Sequence, residues 1–239
     1  MSVSGENAVA DGSGEMFDRI ARRYDRMNRL LSMGMDRSWR RKLIDALGEV
    51  GEGEVLDVAT GTADIALAIA RRYTRARVVG LDPSAGMLEV GRKKVSEAGL
   101  QERVALVEGD AQAMSFDDDR FAASCIAFGI RNVPDRLQGL REMARVTKPG
   151  GRVVVLELGE PSGGPCAAVA RFHVHHVVPR LGAWLSGEGE YRYLQQSIAA
   201  FPSAEDFAET MVEAGLTRCH TERFIFGAAH LYVATSTPV

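Results

Sequence analysis

The sequence predicts an α/β fold: a mainly parallel, seven-stranded sheet with helices on both faces and an antiparallel hairpin at its carboxyl end. Strand-like and helix-like segments alternate five times over residues 54–158. The first strand ends at a turn of small residues, Ala59 to Ala63, which opens a helix. Two β-prone runs, 216–225 and 230–235, are separated by a very short connection. Alternation favours parallel strands with right-handed crossovers, whereas the short connection makes the last two strands antiparallel.

Each element of this core has a local signal. Short apolar runs bounded by turn residues indicate the five strands, at residues 54–58, 77–82, 103–108, 121–128 and 152–158. Apolar residues spaced by three and four indicate helices that begin near Asp64, at Pro83-Ser84, at Pro134 and behind a capping sequence at Ser203. Residues 148–151, Lys-Pro-Gly-Gly, read as a tight turn before the fifth strand.

The flanks of the core are interpreted as parts of the same domain. Residues 1–15 are predicted to be a disordered tail, and residues 16–50 a helical lid, in which an amphipathic helix over 17–31 precedes a second helix capped by Asp36. Residues 51–158 form the ligand-binding core. Residues 159–239 are predicted to supply a helical cover, at about 166–186, and the last two strands.

Composition excludes several classes of protein. A net charge of −3 over 239 residues argues against a general nucleic-acid binder. The three cysteines are far apart in sequence and odd in number. This pattern predicts neither a set of disulfides nor a zinc site, and it is typical of a protein in a reducing cytoplasm. The first residues lack the apolar stretch of a secretory signal, and no run of 18 apolar residues is long enough to span a membrane.

Acidic residues follow successive strands of the core. Asp57 ends the first strand, Asp64 opens the following helix, and Asp82 follows Gly61 by 21 residues, close to the ~20-residue interval at which a carboxylate reaches a ribose in nucleotide-binding βαβ units. The turn has one glycine and lacks the third glycine of a pyrophosphate loop. We therefore expect a phosphate-free ligand that carries an adenosine and a charged amino-acid group, with Asp57 and Asp64 suited to its ammonium. Taken singly, Asp57 and Asp82 could instead cap the turn and the next helix.

Five core motifs resemble those of class I S-adenosylmethionine-dependent methyltransferases: LDVATGTAD, GLDPSAGML, EGDAQAMSF, FGIRNVPD and RVTKPGGRVVVLELGEP. The flanking segments MFDRIARRYDRMNRLLSMGMDRSWR and YRYLQQSIAAFP make the chain similar, over about residues 16–235, to the ubiquinone/menaquinone biosynthesis C-methyltransferase family. The core motifs are shared widely among methyltransferases, whereas FGIRNV, YDRMN and YRYLQQSI together are specific to this family.

The resemblance implies the Rossmann-like fold of class I methyltransferases, with S-adenosylmethionine as cofactor and S-adenosylhomocysteine as product. It places donor contacts on Thr62 in the turn, Asp82 at the ribose, Asp110 and Ala111 at the adenine, and Ala127 on the fourth strand. With the residues read from the turn, the predicted cofactor site comprises Asp57, Gly61, Thr62, Asp64, Asp82, Asp110, Ala111 and Ala127. Two positions depart from the family pattern, since Ala63 replaces a usual glycine and Ala127 a frequent serine.

The reaction that the resemblance implies is methyl transfer to a ring carbon of a reduced, polyprenylated quinol. Such a transfer requires the carbon and the sulfur in line, and an adjacent phenol must lose its proton. Arg131, with Asn132 beside it, is the candidate catalytic residue, acting electrostatically because arginine stays protonated; a surface ion pair is the alternative. Candidate acceptor-pocket residues are Tyr24, Asn28, Tyr191 and Tyr193. No metal is expected, although His173, His175 and His176 lie close in sequence.

Other functions fit the same motifs. The acceptor could be another phenolic or lipid molecule, or the chain could be a non-catalytic S-adenosylmethionine-binding subunit of a quinone-synthesis complex. The apolar stretch over about 166–186 could cover the sheet or line a groove for the prenyl tail.

The amino-terminal segment predicts contact with a membrane surface. Residues 16–47 contain nine Lys and Arg against four Asp, beside apolar residues on the same amphipathic element. We therefore expect a cytoplasmic protein that binds peripherally to the inner face of the membrane, with a prenylated quinol and an anionic membrane surface as partners and without nucleic acid. A homodimer is compatible with the sequence. The simpler interpretation of the basic residues is a solvated face on a lid helix.

Overall fold

A computed structural model of the chain describes residue 21, residues 34–160 and residues 188–237, the first five of the last range by their backbone alone. Its centre is a seven-stranded sheet in the order β3-β2-β1-β4-β5-β7-β6. The strands are β1 Glu54–Val58, β2 Arg77–Asp82, β3 Val104–Glu108, β4 Phe121–Ala127, β5 Thr147–Leu158, β6 Leu216–Phe224 and β7 Ala229–Ser236.

The pairing confirms a mainly parallel sheet with an antiparallel carboxyl-terminal hairpin. Strands β1 to β5 pair with one another in parallel. Strand β7 pairs antiparallel with both β5 and β6, so that it lies between them. The sheet order reverses at β1 and β4, and the loops after these two strands therefore open into one crevice, the usual ligand position in open α/β sheets.

Helices cover both faces of the sheet, as predicted. Their bounds are α1 Asp36–Ala46, α2 Asp64–Arg72, α3 Ala85–Glu97, α4 Arg136–Val146, α5 Glu188–Ala199 and α6 Ala204–Glu213. Side chains that alternate along β1 divide the core: Val55 belongs to the cluster that includes Trp39 and Ile69, and Leu56 to the cluster that includes Leu140 and Phe207. The sheet is thus buried on both sides, which suits its apolar strands.

Three local predictions were wrong. Asp36 does not cap α1, because Met35 is the residue before the first turn and Asp36 lies inside the helix, where it forms an ion pair one turn along. Pro134 does not begin α4, whose cap is the side chain of Asp135. The predicted turn before the fifth strand belongs to β5 (Thr147–Leu158), since the ladder with β4 starts at Thr147 and continues across an irregularity.

Several predictions concern residues outside the described ranges. These are the tail over 1–15, the amphipathic helix over 17–31, the cover helix over 166–186 and the three closely spaced histidines. The division into lid, core and cover likewise stays a prediction. Within the described ranges, no helix is long and apolar enough to cross a bilayer. Of the cysteines, Cys125 and Cys219 are free thiols.

Candidate active site

The loop after β1 adopts an unusual backbone. Ala59, Gly61 and Ala63 have positive φ angles of 51°, 55° and 65°, a region that costs an L-residue about 1–2 kcal/mol. Ala63 stands where the family pattern usually has glycine, and it adopts the left-handed conformation despite its side chain. This backbone turns the chain sharply from β1 into α2 and places the amino end of that helix beside the crevice.

Asp82 ties the loops after β1 and β2 together. Its carboxylate accepts the Gly61 N–H at 2.8 Å through one oxygen and the Ser84 N–H at 2.9 Å through the other. The alternative that Asp82 caps the next helix is wrong, because the Ser84 side chain caps α3 by accepting the Met87 N–H. The ribose contact of Asp82 remains a prediction.

Asp57 is buried, with 1% of its surface exposed. The Thr60 hydroxyl donates to one of its oxygens at 2.6 Å, and the Cys125 thiol lies 3.8 Å from the other. Burial raises the pKa of Asp57 from 3.8 to about 7, against the lowering effects of the Thr60 hydrogen bond and of the Arg40 charge. A carboxyl of this kind gains from a cationic ligand group, because the cation would stabilise its ionised form.

Asp64 is held by two basic side chains. Lys94 donates to the Asp64 carboxylate at 2.7 Å and to the Thr62 hydroxyl at 2.9 Å. Arg40, from α1, lies 3.8 Å from the other oxygen of Asp64. The predicted role of Asp64 at a ligand ammonium therefore competes with an existing ion pair, whereas Asp57 has no such basic partner within hydrogen-bonding distance among the described residues.

A small pocket that opens to solvent lies over this loop. Its polar wall carries both acidic and basic groups, which fits the zwitterionic amino-acid end of S-adenosylmethionine. Ala127, at the end of β4, also lines the pocket. The lining residues are Arg40, Asp57, Ala59, Thr60, Gly61, Thr62, Asp64, Ile65 and Ala127.

The predicted adenine contacts follow β3. The exposed Asp110 accepts the backbone N–H of Gln112 at 2.9 Å and the Gln112 side-chain amide at 3.0 and 3.1 Å. Gln112 in turn accepts the Asp135 N–H at 2.9 Å. The loop that carries Asp110 and Ala111 is thereby fixed to the start of α4, at the same end of the sheet as the pocket.

Arg131 makes a buried ion pair. Its Nη1 donates to Glu157 Oε1 at 2.6 Å and to the Phe128 carbonyl at 2.6 Å, and its backbone N–H donates to Glu157 Oε2 at 3.2 Å. The two side chains are 7% and 0% exposed. The alternative of a surface ion pair is therefore excluded: the partner is an acid within the sheet. The catalytic role of Arg131 remains a prediction.

Asn132 contacts one of the predicted pocket residues. The Tyr193 hydroxyl, from α5, donates to Asn132 Oδ1 at 3.0 Å. The structure thus brings Arg131, Asn132 and Tyr193 together after the end of β4, the strand whose last residue, Ala127, lines the pocket. Tyr24, Asn28 and the side chain of Tyr191 lie outside the described residues.

Comparison with known proteins assigns the family. The sequence profile of the ubiE/COQ5 methyltransferase family matches residues 1–236. The chain belongs to this family. It is 42% identical over 222 residues to a demethylmenaquinone methyltransferase of Bacteroides fragilis, covering 92% of this chain and 91% of the relative. It is 44% identical over 219 residues to the ubiquinone/menaquinone biosynthesis C-methyltransferase UbiE of Geobacter sulfurreducens, covering 91% and 86%.

Solved structures confirm the fold. A putative S-adenosylmethionine-dependent methyltransferase of Methanococcus maripaludis superposes with a TM-score of 0.68 at 17% identity, covering 93% of this chain and 94% of that one. The class I methyltransferase fold predicted for this ubiE/COQ5 family member is therefore the observed one.

Sequence reasoning missed four residues of this family member's site. Glu157 had a signal, because an acid within the apolar run of β5 is expected to be buried and paired. Arg40 lies one turn after Asp36 on a predicted helix. This spacing indicates an ion pair between the two side chains, but it does not indicate that Arg40 lines a pocket. Lys94 and Gln112 had no signal, since their partners are distant in sequence.

No cluster of three metal-ligating side chains occurs in the part of the chain that the structure describes. The predicted absence of a metal is untested for the three histidines, which lie outside that part.

Proposed function

We propose that this ubiE/COQ5 family protein methylates a ring carbon of a reduced, polyprenylated quinol in menaquinone or ubiquinone biosynthesis. The observation that carries the proposal is the meeting of two sites at the end of β4. Ala127 lines the pocket that fits the methyl donor. Arg131 and Asn132 lie in the segment that follows β4, and Tyr193 from α5 contacts Asn132. The names of relatives more than 40% identical over nine-tenths of the chain support the quinol as acceptor.

The pocket residues hold the donor by complementary chemistry. S-adenosylmethionine supplies an electrophilic methyl group on a positively charged sulfur. Asp82 accepts hydrogen bonds from the ribose hydroxyls, and Asp57 faces the ammonium. Thr62 and Asp64 shape the pocket through their bonds to Lys94. Asp110 and Ala111 border the adenine, and the left-handed loop around Gly61 gives the donor close access to the backbone.

Arg131 and Asn132 act on the acceptor ring. The ring carbon becomes nucleophilic when a phenol of the quinol gives its proton to water, and the fixed guanidinium stabilises the phenolate that forms. Glu157 and the Phe128 carbonyl fix the guanidinium in place, so little reorganisation is needed during the reaction. After the carbon–carbon bond has formed, loss of the ring proton restores the aromatic quinol. Tyr193 positions Asn132 and the acceptor, together with Tyr24, Asn28 and Tyr191.

The test is turnover with defined acceptors. The purified protein is incubated with S-adenosylmethionine and, separately, a prenylated demethylnaphthoquinol, the corresponding benzoquinol and a simple phenol. We expect one methyl group to be added to the ring carbon of a prenylated quinol, as measured by mass spectrometry. Methylation of the phenol alone would replace the acceptor, and tight S-adenosylhomocysteine binding without any turnover would favour a non-catalytic subunit.

The protein reaches its acceptor at the cytoplasmic membrane surface. The basic residues of 16–47 continue into α1, where Arg37 and Arg41 are exposed. Lys42 of the same helix contacts Glu222 and lies over the ring of Phe224, and the next two residues, Ile225 and Phe226, are 37% and 46% exposed. Basic and apolar groups thus adjoin on this side, the combination that an anionic lipid surface attracts.

Vesicle co-sedimentation tests the membrane proposal. We expect stronger binding to anionic than to neutral vesicles and a reduction by salt, since exposed charges are screened. Arg37→Glu with Arg41→Glu should weaken this binding. Arg92→Glu with Lys93→Glu is the matched control, because both residues are exposed on α3, which packs against β2 and β3, whereas α1 packs against α2, β5 and β7. Equal binding to both vesicle types would leave the basic residues as a solvated surface.

A further inference from the structure

Arg40 is a basic side chain that lines the donor pocket. It extends from α1 to the mouth of the pocket, where its side chain is 17% exposed. The guanidinium lies 5.6 Å from the centre of the Phe128 ring, and Trp39, its neighbour in sequence, also packs on that ring. Stacking on an aromatic face fixes the plane of a guanidinium and leaves its edge available for hydrogen bonds.

The hydrogen bonds of Arg40 are incomplete. Its Nε is buried and has no hydrogen-bond partner among the residues that the structure describes. The Asp36 carboxylate is 3.3 Å from this nitrogen but poorly aligned with it, and Asp64 is 3.8 Å from Nη1, beyond hydrogen-bonding distance. Buried donors in native proteins usually have a partner. The arrangement therefore points to an acceptor that arrives with a ligand.

The other cation near the pocket is already engaged. Lys94 donates to Asp64 and Thr62 at 2.7 and 2.9 Å, and it is not among the residues that line the pocket. The lining that includes Arg40 also includes the buried carboxyl of Asp57. A ligand with one cationic and one anionic group therefore meets an acid at Asp57 and a base at Arg40.

We infer that Arg40 binds the α-carboxylate of the methyl donor. This inference rests on the proposed function, in which S-adenosylmethionine is that donor, and it assigns to α1 a binding role at the amino-acid end of the molecule. A guanidinium can offer two parallel N–H groups to a carboxylate. The contact orients the amino-acid group, and with it the sulfur, and it makes the site select ligands that keep the carboxylate.

Binding calorimetry with two ligands tests this assignment. S-adenosylhomocysteine is compared with its decarboxylated analogue, which keeps the adenosine, the sulfur and the ammonium. We expect Arg40→Met, which retains an apolar stem over Phe128, to lower the affinity for S-adenosylhomocysteine roughly 10- to 100-fold, the range for hydrogen bonds to charged groups. The affinity of the same variant for the decarboxylated analogue should change less than about threefold. Arg41→Met, on the exposed side of α1, is the matched control and should bind both ligands like the wild type.

Arg40→Gln provides a second variant in case Arg40→Met does not fold. Parallel losses for both ligands would overturn the inference, because they would mean that Arg40 only supports the fold of the pocket. An unchanged affinity for S-adenosylhomocysteine would also overturn it and would assign the carboxylate to another group. A wild-type protein that binds neither ligand would contradict the proposed function itself, an outcome distinct from both of these.

Discussion

Replacing Asp57 by asparagine should stabilise the ligand-free protein at neutral and basic pH. The carboxyl is buried, and its pKa is raised from 3.8 to about 7. In the folded protein it therefore binds its proton more tightly than in the unfolded chain. Stability that depends on this proton is fully present below about pH 4 and is lost as the pH rises towards 7. Asparagine has the same shape, cannot ionise and can still accept the Thr60 hydroxyl.

The pKa difference sets the size of the effect. A pKa difference of one corresponds to about 1.36 kcal/mol. At pH 8 the ionised Asp57 carboxyl therefore lowers the free energy of unfolding of the wild type by roughly 4 kcal/mol relative to a neutral group. At pH 5 the loss is roughly 2 kcal/mol, because only the unfolded chain is then ionised. The advantage of Asp57→Asn in free energy of unfolding should therefore grow by roughly 2–3 kcal/mol between pH 5 and pH 8.

Urea unfolding of the ligand-free proteins at the two pH values measures this advantage. Asp117→Asn, which changes an exposed carboxyl, is the control and should show a difference of less than about 0.5 kcal/mol at either pH. The same Asp57→Asn variant should bind S-adenosylhomocysteine more weakly, since it cannot pair with the ammonium. An advantage that does not depend on pH would refute the reasoning, because it would show that Asp57 does not titrate in this range.

Four further substitutions test the site. Asp82→Ala should weaken S-adenosylhomocysteine binding by about 1.5–3 kcal/mol in calorimetry; unchanged affinity would show that Asp82 only connects the loops after β1 and β2. Arg131→Ala should lower kcat by roughly 10²–10³ with cofactor affinity nearly intact, whereas a raised KM at equal kcat would make it a binding residue. Glu157→Gln should lower the free energy of unfolding by about 3–5 kcal/mol, because it leaves a buried charge without its counter-ion; a loss below about 1 kcal/mol would contradict that account. Tyr193→Phe removes the hydrogen bond to Asn132 and should raise KM for the quinol up to about tenfold; an unchanged KM would make Tyr193 a packing residue.

The fold class and most of the element bounds could be predicted from the sequence. Strands β1 and β2 were predicted at their observed residues, because a short apolar run between turn residues is a local signal. The cap at Ser203 was predicted for the same reason, since its bond to the Asp206 N–H joins residues three apart. The motifs that identified the family also lie within short segments.

The contacts between distant side chains could not be predicted from the sequence and are seen in the folded chain. Arg131 and Glu157 are 26 residues apart, Lys94 and Asp64 are 30 apart, and Asn132 and Tyr193 are 61 apart. The insertion of β7 between β5 and β6 likewise depends on pairing between distant strands. Hydrophobic periodicity reports which face of an element is buried, but it does not report which charged group lies opposite. The partners of Arg40, Lys94 and Glu157 are fixed by the packing of α1, α3 and β5 against the loops of the sheet, because electrostatic contacts depend on distance in space and not on separation along the chain.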